Sequence, residues 1–450
     1  MKVCIVGGGG AASNAANVIR LLDKEAQIDI FTKRSDIGVV PCEFPFVLSG
    51  FLPSWEDCYV FREKFYRERN INVHLSTEVT EIIRGRKCLI AGGESYDYDK
   101  AILGLGAIPV VPSIPGVDGQ NEFVLSTNME IAKVFEEVIP KYSSAAIIGA
   151  GQIALEVAGI LKARNYDKIC LLEKLDCLFP VYLDKDMAER IEGKVSGMGI
   201  ELILSAKVNS ITSRNGKKVV SLPDRELEVD FIFFSTGSAP NVELAQKAGI
   251  KIGESGAIAV NEYLQTSDPD IYAIGDCMEK RDRIIGRERC YQTATTGATT
   301  GRVAARNLVL GNVLPYQGTV MPFVTEVFGY QVGTAGFTES YAREQGLDVV
   351  SHIMSTLTRR RSFGGKTIHI KLIANRKTKS LVGAQIISEE LVAGKIDRLA
   401  VAIAEKIPVQ SLALIDTCYS PTVGSAYESI VMALDGLMPK LVKGQEGSSD

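Results

Sequence analysis

The sequence predicts an α/β chain with two dinucleotide-binding units and a C-terminal α+β domain. Three observations carry that prediction. An apolar strand runs into a glycine-rich turn and a helix at the N-terminus, the same succession recurs over residues 144–173, and the pattern turns strand-rich after Tyr316. Length agrees, since 450 residues at roughly 100 to 200 per domain give two to four domains. Hydrophobic residues at 46% and charged residues at 23% exclude a long disordered or fibrous chain. Fifty basic residues against 54 acidic ones leave a formal charge of −4, so no global field would hold a nucleic acid or an anionic membrane.

The first unit opens with the strand Lys2 to Val6. Gly7-Gly8-Gly9-Gly10-Ala11-Ala12 follows, then the helical run Ser13 to Leu22 and a second strand, Ile28 to Phe31. The four glycines also break what might pass for the apolar core of a signal peptide, and no uncharged apolar stretch reaches about 18 residues. A cytoplasmic protein without a membrane span is expected. The second unit repeats the plan with the strand Ala145 to Ile148, the turn Gly149-Ala150-Gly151, the helix Gln152 to Ala163 and the strand Lys168 to Leu172, ended by Glu173.

Gly7, Gly9 and Ala12, like Gly149, Gly151 and Ala154, occupy the positions of the Rossmann-like fingerprint. There, backbone N–H groups and the helix dipole hold a pyrophosphate. Two copies imply two dinucleotides. Glu173 is placed to accept hydrogen bonds from an adenosine ribose, which favours NAD(H) over NADP(H), while Lys174 beside it blunts the preference.

Further on, Asp230 to Gly237 reads as a buried strand entering a turn, and Asp270 to Asp276 as a strand with an acid at its end, where ligands bind in open α/β sheets. Beyond Tyr316, strand-like runs cover Phe323 to Val332, Thr367 to Ile373 and Leu381 to Ser388. Helical patterns follow over Gly394 to Ala404 and Tyr427 to Leu437, and Gly444 to Asp450 reads as a frayed tail. Nine cysteines without a CxxC pair fit reduced thiols better than a disulfide framework or a zinc site, and three histidines supply little His-based chemistry; no metal is expected.

These motifs, in this order, resemble the FAD-dependent pyridine-nucleotide-disulfide oxidoreductases, in their single-cysteine branch of coenzyme A-disulfide reductases, NADH oxidases and NADH peroxidases. The resemblance rests on the first fingerprint, Cys42 in Val39-Val40-Pro41-Cys42-Glu43-Phe44-Pro45-Phe46, and the second fingerprint with Glu156. It extends to Ser235-Thr236-Gly237-Ser238-Ala239-Pro240-Asn241 and Ile271 to Asp276. It implies an NAD(P)H-binding domain (113–240) inserted into an FAD-binding domain (1–112 and 241–315), with a C-terminal dimerisation domain (316–450) and a homodimer.

Residue by residue, the resemblance gives the FAD pyrophosphate to Gly7, Gly9 and Ala12, and the ribityl chain to Gly275 and Asp276. It gives the adenosine ribose to Thr32 and Lys33, where family members usually carry an acid at the first position. The start of a helix at Thr293 and Ala294 faces developing negative charge on the reduced ring. NAD(P)H falls to Gly149, Gly151, Ala154, Glu156, Glu173 and the Gly237 turn, and Gln152 stands where the family commonly has a gating Tyr. Cys42 is the redox sulfur, and without a CxxxxC pair its partner sulfur comes from the substrate. Tyr419 matches a tyrosine brought toward that sulfur from the partner subunit. Arg20, and more locally Arg359, Arg360 and Arg361, are candidates for coenzyme A phosphates. The expected reaction passes hydride from NAD(P)H to FAD, then electrons through Cys42 to a small disulfide such as coenzyme A disulfide or to polysulfide. The alternatives are an NADH oxidase reducing oxygen, for which Gly10 replaces the usual histidine helper of hydroperoxide chemistry, and a redox sensor with little turnover.

Overall fold

The computed structural model describes residues 1–442 of the chain, so the tail expected over Gly444 to Asp450 lies outside the described residues. Contacts group the chain into two units. The first comprises Met1–Val110, Leu125–Val138 and Gly237–Thr319; the second comprises Val111–Val124, Ile139–Thr236 and the chain from Val320 onward. The helix Met129–Val138 therefore packs with the first unit, although it lies inside the span 113–240.

The first unit is built on a five-stranded parallel sheet. Its order is Ile271–Ala273, Lys100–Leu103, Lys2–Val6, Gln27–Phe31, Ile71–His74. Lys2–Val6 is central and buried on both faces after its first residue, as an apolar run in a parallel sheet requires. From this strand the chain builds outward on one side, then on the other. The switch point thus lies between the carboxyl ends of Lys2–Val6 and Lys100–Leu103, where such sheets bind ligands.

The helix Gly10–Leu22, which follows the strand Lys2–Val6, packs closely against the helix Ala294–Leu310. The approach is close because Gly301 has no side chain: a Cβ there would stand 2.3 Å from the Ala11 carbonyl oxygen.

The second unit repeats the plan with a parallel sheet ordered Glu201–Ile203, Lys168–Leu172, Ser144–Ile148, Phe231–Phe234, Glu122–Phe123. It also carries a five-stranded antiparallel sheet in the order Phe323–Val327, Tyr330–Gly336, Leu381–Ser388, Thr367–Asn375, Val349–Leu357, with the helices Ala393–Ala404 and Ser429–Val442 against it. Here the sequence reading is corrected. The run Phe323 to Val332 is not one strand but a hairpin turning at Phe328-Gly329, both at positive φ (53° and 79°), and the strand Val349–Leu357 was not anticipated.

Within the second unit the Lys371 ammonium, 3% exposed, meets Asp186 at 2.8 Å, Glu339 at 3.1 Å and Asp184 at 3.2 Å. Asp184 also accepts from the Glu339 and Ser340 amides, so it caps the helix Glu339–Glu344. Three N–H groups face three carboxylates, which satisfies the buried ammonium and ties the start of the helix Lys185–Gly197 to the antiparallel sheet.

Candidate active site

Both glycine-rich turns have the same local geometry. Gly7 has φ +115° and its amide donates to Phe31 O at 2.8 Å; a Cβ there would stand 2.1 Å from Gly104 O. Gly149 has φ +110° and donates to Leu172 O at 2.7 Å; its Cβ would stand 2.2 Å from Ser235 O. Glycine is required twice for one reason, a left-handed backbone pressed against the neighbouring strand. Gly9 and Gly151, the helix N-caps, have no side-chain capping bond. A Cβ on either would meet no atom within 4 Å beyond its chain neighbours, and the first amides of each helix have no intrahelical acceptor. A pyrophosphate fits both.

In the first unit the other expected flavin residues converge on the first turn. Gly275–Cys277 forms a short 3₁₀ turn after Ile271–Ala273, and the Gly275 amide donates to Thr300 Oγ1 at 3.0 Å. A Cβ on Gly275 would stand 3.2 Å from Ala11 Cβ, so Gly9 to Ala12, Gly275-Asp276 and the helix Ala294–Leu310 meet at one place. Burial pushes the Asp276 carboxyl above the usual range, with the Lys280 ammonium pulling the other way. Ala294 is exposed in the first turn of its helix, which Thr293 caps through Thr296 N.

Thr32 is buried beneath Gly8, and its Oγ1 accepts from the Arg34 amide at 3.2 Å. Thr77 N donates to Thr32 O, which brings Glu78 to the end of the strand, 3.9 Å from the exposed Lys33 ammonium. Glu78 is thus a carboxylate at this strand end that no local sequence signal points to. Gly237, at φ +94°, starts the ribbon Ser238–Pro240, which pairs antiparallel with Ala107–Pro109.

Cys42 lies in the 3₁₀ turn Pro41–Glu43, which leads directly into the helix Phe44–Ser49. The segment is held by Val40 N to Cys58 O at 2.9 Å, by the Phe44–Trp55 ring contact, and by Trp55 Nε1 donating to Glu136 in the helix Met129–Val138. None of the nine cysteines is in a disulfide. Within the first unit Cys42 is the exposed one. Cys4, Cys58, Cys88 and Cys277 are buried and Cys290 is half-buried; burial pushes the Cys4 thiol up to about 12 and that of Cys58 up to about 11. Cys418, in the second unit, is exposed as well.

In the second unit Ala154 is fully buried in the helix Gln152–Ala163. Glu156 accepts from Gln152 Nε2 at 2.8 Å and from Thr325 Oγ1 at 3.2 Å, and burial raises its pKa. Glu173 is buried, and its two oxygens accept from the Ala150 and Leu175 amides, both at 2.8 Å, so the carboxylate braces its own turn. Lys174 next to it is exposed.

Arg20 is corrected outright. Its Nε donates to Arg69 O, Nη1 to Asp23 O and Lys24 O, and Nη2 to Ala26 O and Asn70 O. All five N–H groups of a buried guanidinium are thereby committed to carbonyls, and no donor remains for a phosphate. Arg359 pairs with both oxygens of Glu390 and donates to Phe363 O, which leaves Arg360 and Arg361 as the exposed members of that run. Tyr419 is 54% exposed in the segment between Val409–Ala413 and Ser429–Val442.

Two dinucleotide turns on two parallel sheets, with an exposed cysteine on the first unit, are the arrangement of a nicotinamide-dependent flavin oxidoreductase. The chain belongs to the pyridine nucleotide-disulphide oxidoreductases, whose model matches residues 1–301 and whose dimerisation-domain model matches residues 323–430. It is 34% identical to an NADH oxidase of Methanocaldococcus jannaschii, with 98% of this chain and 99% of that protein covered. It is 30% identical to a CoA-dependent NAD(P)H sulfur oxidoreductase of Pyrococcus furiosus, with 96% and 98% covered. Among solved structures, an NAD-dependent persulfide reductase from A. fulgidus superposes with a TM-score of 0.93 at 30% identity, over 98% of this chain and 83% of that one.

Proposed function

We propose that the chain is a homodimeric FAD enzyme that takes hydride from NAD(P)H and delivers two electrons through Cys42 to a low-molecular-weight sulfur acceptor, a disulfide such as coenzyme A disulfide or a polysulfide. The observation that carries this reading is the exposure of Cys42 on the first unit, where the other five thiols are buried or half-buried. Bound FAD supplies the two-electron chemistry that neither turn can perform itself. The residues of the chain do the rest. The Gly7 to Ala12 amides hold the pyrophosphate, Asp276 accepts from ribityl hydroxyls, and the Gly149 to Ala154 turn, braced by Glu173, holds the nicotinamide dinucleotide.

The Cys42 thiolate attacks one sulfur of the acceptor, forming a mixed disulfide and releasing the other half as a thiolate. Two electrons that originate in NAD(P)H then cleave the mixed disulfide, freeing the second thiolate and restoring Cys42. Arg360 and Arg361 are exposed and fit the phosphates of a coenzyme A acceptor. We propose the boundaries read from the sequence, 1–112 with 241–315, 113–240 and 316–450, as the division by cofactor and dimerisation. Leu414, Tyr419, Val423 and Tyr427, each more than half exposed in one segment of the dimerisation domain, support its burial against a second copy. No described helix is long and apolar enough to cross a membrane, which is compatible with a cytoplasmic enzyme.

A second reading, reduction of oxygen, is favoured by the name of the Methanocaldococcus relative. Anaerobic turnover of the purified protein with NADH and a panel of coenzyme A disulfide, polysulfide and peroxide, followed by oxygen, separates the two. Turnover confined to oxygen overturns the sulfur reading, and bound flavin without turnover on any acceptor returns the chain to a sensor.

A further inference from the structure

Lys280 lies four residues past Asp276, at the start of the short strand Lys280–Arg281, which pairs with Glu288–Arg289. It is 0% exposed. Its Nζ donates to Gly275 O at 2.6 Å and to Met278 O at 3.2 Å, the carbonyls on either side of Asp276 and Cys277. The same turn is held from the opposite direction by Thr300 Oγ1 on the Gly275 amide. Fully buried lysines are rare, because burying an ammonium costs several kcal/mol unless charge and hydrogen bonds offset it.

The titratable groups that face Lys280 are Asp276, Cys277 and Cys290. Glu279, the adjacent acid, is turned away: its carboxylate packs on Gly253 and accepts from Ser255 N at 3.1 Å. Lys280 Nζ thus sits on the carbonyls that flank Asp276, the one carboxylate among these groups.

That placement matters because of what the first turn binds. A pyrophosphate held by Gly7 to Ala12 brings two negative charges to the turn that packs on Gly275, and a half-buried carboxylate there would take up a proton unless a cation offsets the field. A protonated Asp276 loses acceptor capacity toward ribityl hydroxyls.

We propose that Lys280 is a positioning residue for the flavin: its buried ammonium fixes the Gly275–Met278 turn and supplies the counter-charge that keeps Asp276 ionised while FAD is bound. The inference rests on the reading of the first unit as an FAD site.

The test is titration of the apoprotein with FAD, followed by flavin fluorescence across pH 5.5 to 9 at about half-unit steps, for wild type, Lys280→Gln, Lys280→Arg, Asp276→Asn and the double variant Asp276→Asn/Lys280→Gln. Glutamine keeps a donor and removes the charge. Without the ammonium the Asp276 carboxyl titrates at higher pH, so Lys280→Gln should bind FAD about tenfold or more weakly near pH 6 and recover as pH rises. Lys280→Arg should keep the wild-type pH profile, and the double variant should be weak and flat with pH.

A Lys280→Gln protein with the wild-type affinity and profile overturns the proposal, as does a loss equal at every pH, which would mean that Lys280 only holds the turn. Should Lys280→Gln not fold, infrared spectra of the wild-type holoprotein decide: a protonated carboxyl band near neutral pH that vanishes in Asp276→Asn also overturns it. Absence of FAD binding by the wild type would instead sink the FAD reading itself.

Discussion

The Ala150 amide donates to the Glu173 carboxylate at 2.8 Å across the second glycine-rich turn. A carboxylate bonded in this way braces the turn proposed to hold the pyrophosphate of either nicotinamide dinucleotide. Glu173→Ala should therefore raise KM for NADH and NADPH together, by about tenfold, through loss of charge-assisted hydrogen bonds. Lys174→Glu, at the exposed neighbour, should lower kcat/KM for NADPH relative to NADH. Steady-state kinetics with both cofactors check this, and a loss confined to NADH would return Glu173 to ribose recognition.

Cys42→Ser should retain FAD and its reduction by NADH, because both dinucleotide turns are untouched. Turnover with a disulfide should fall by about 10³-fold or more, as expected when a nucleophile is removed. The long-wavelength absorbance of a thiolate beside oxidised flavin should vanish in the same variant. Disulfide reduction at the wild-type rate would move the search to Cys418, the other exposed thiol.

Acid should loosen the second unit through the Lys371 cluster. Burial alone would raise the Glu339 pKa, but hydrogen bonds from Ser351, Arg343 and Lys371 hold it down to about 2 against an ordinary 4.5. Its folded value is depressed, so the stability it contributes is fully present above about pH 4.5 and is lost as pH falls toward 2. Melting curves from neutral pH downward should show that slope. Lys371→Met removes the cation shared by Asp184, Asp186 and Glu339, should cost about 3 to 5 kcal/mol, and should partly recover on mild acidification, the opposite sign to wild type.

Gly301→Ala should force the helices Gly10–Leu22 and Ala294–Leu310 apart, since its Cβ would stand 2.3 Å from a backbone oxygen that cannot turn aside. A loss of about 1 to 3 kcal/mol is expected for such overpacking, with weaker FAD retention. Gly193→Ala, inside the helix Lys185–Gly197 where a Cβ meets nothing within 4 Å, should instead stabilise by about 0.5 to 1 kcal/mol. Calorimetry on the two variants gives the comparison.

Much of the scaffold was legible in the sequence because it obeys local rules. Apolar runs such as Lys2–Val6 and Ser144–Ile148 are buried strands, and glycine after each is demanded by a turn that any single unit would show. The order of motifs carried the family, and the position of Cys42 in that order made it the candidate sulfur. Gly297 and Gly301, four residues apart in a run rich in threonine and alanine, held a readable signal for close helix packing that went unused.

The fates of the charged groups were decided by the tertiary structure. Arg20 reads as an exposed cation at the end of a helix until residues 69 and 70 arrive to take its donors. The Glu173 carboxylate closes on the Ala150 amide 23 residues before it, and Lys371 is buried among carboxylates of residues 184, 186 and 339. Strand and helix periodicity depends on neighbours within a few residues, whereas a charge is settled by whatever groups the fold carries to it from anywhere in the chain. Sequence therefore determined the two glycine-rich turns and put Cys42 forward, and only the packed structure decided which charged groups are held by the protein's own atoms.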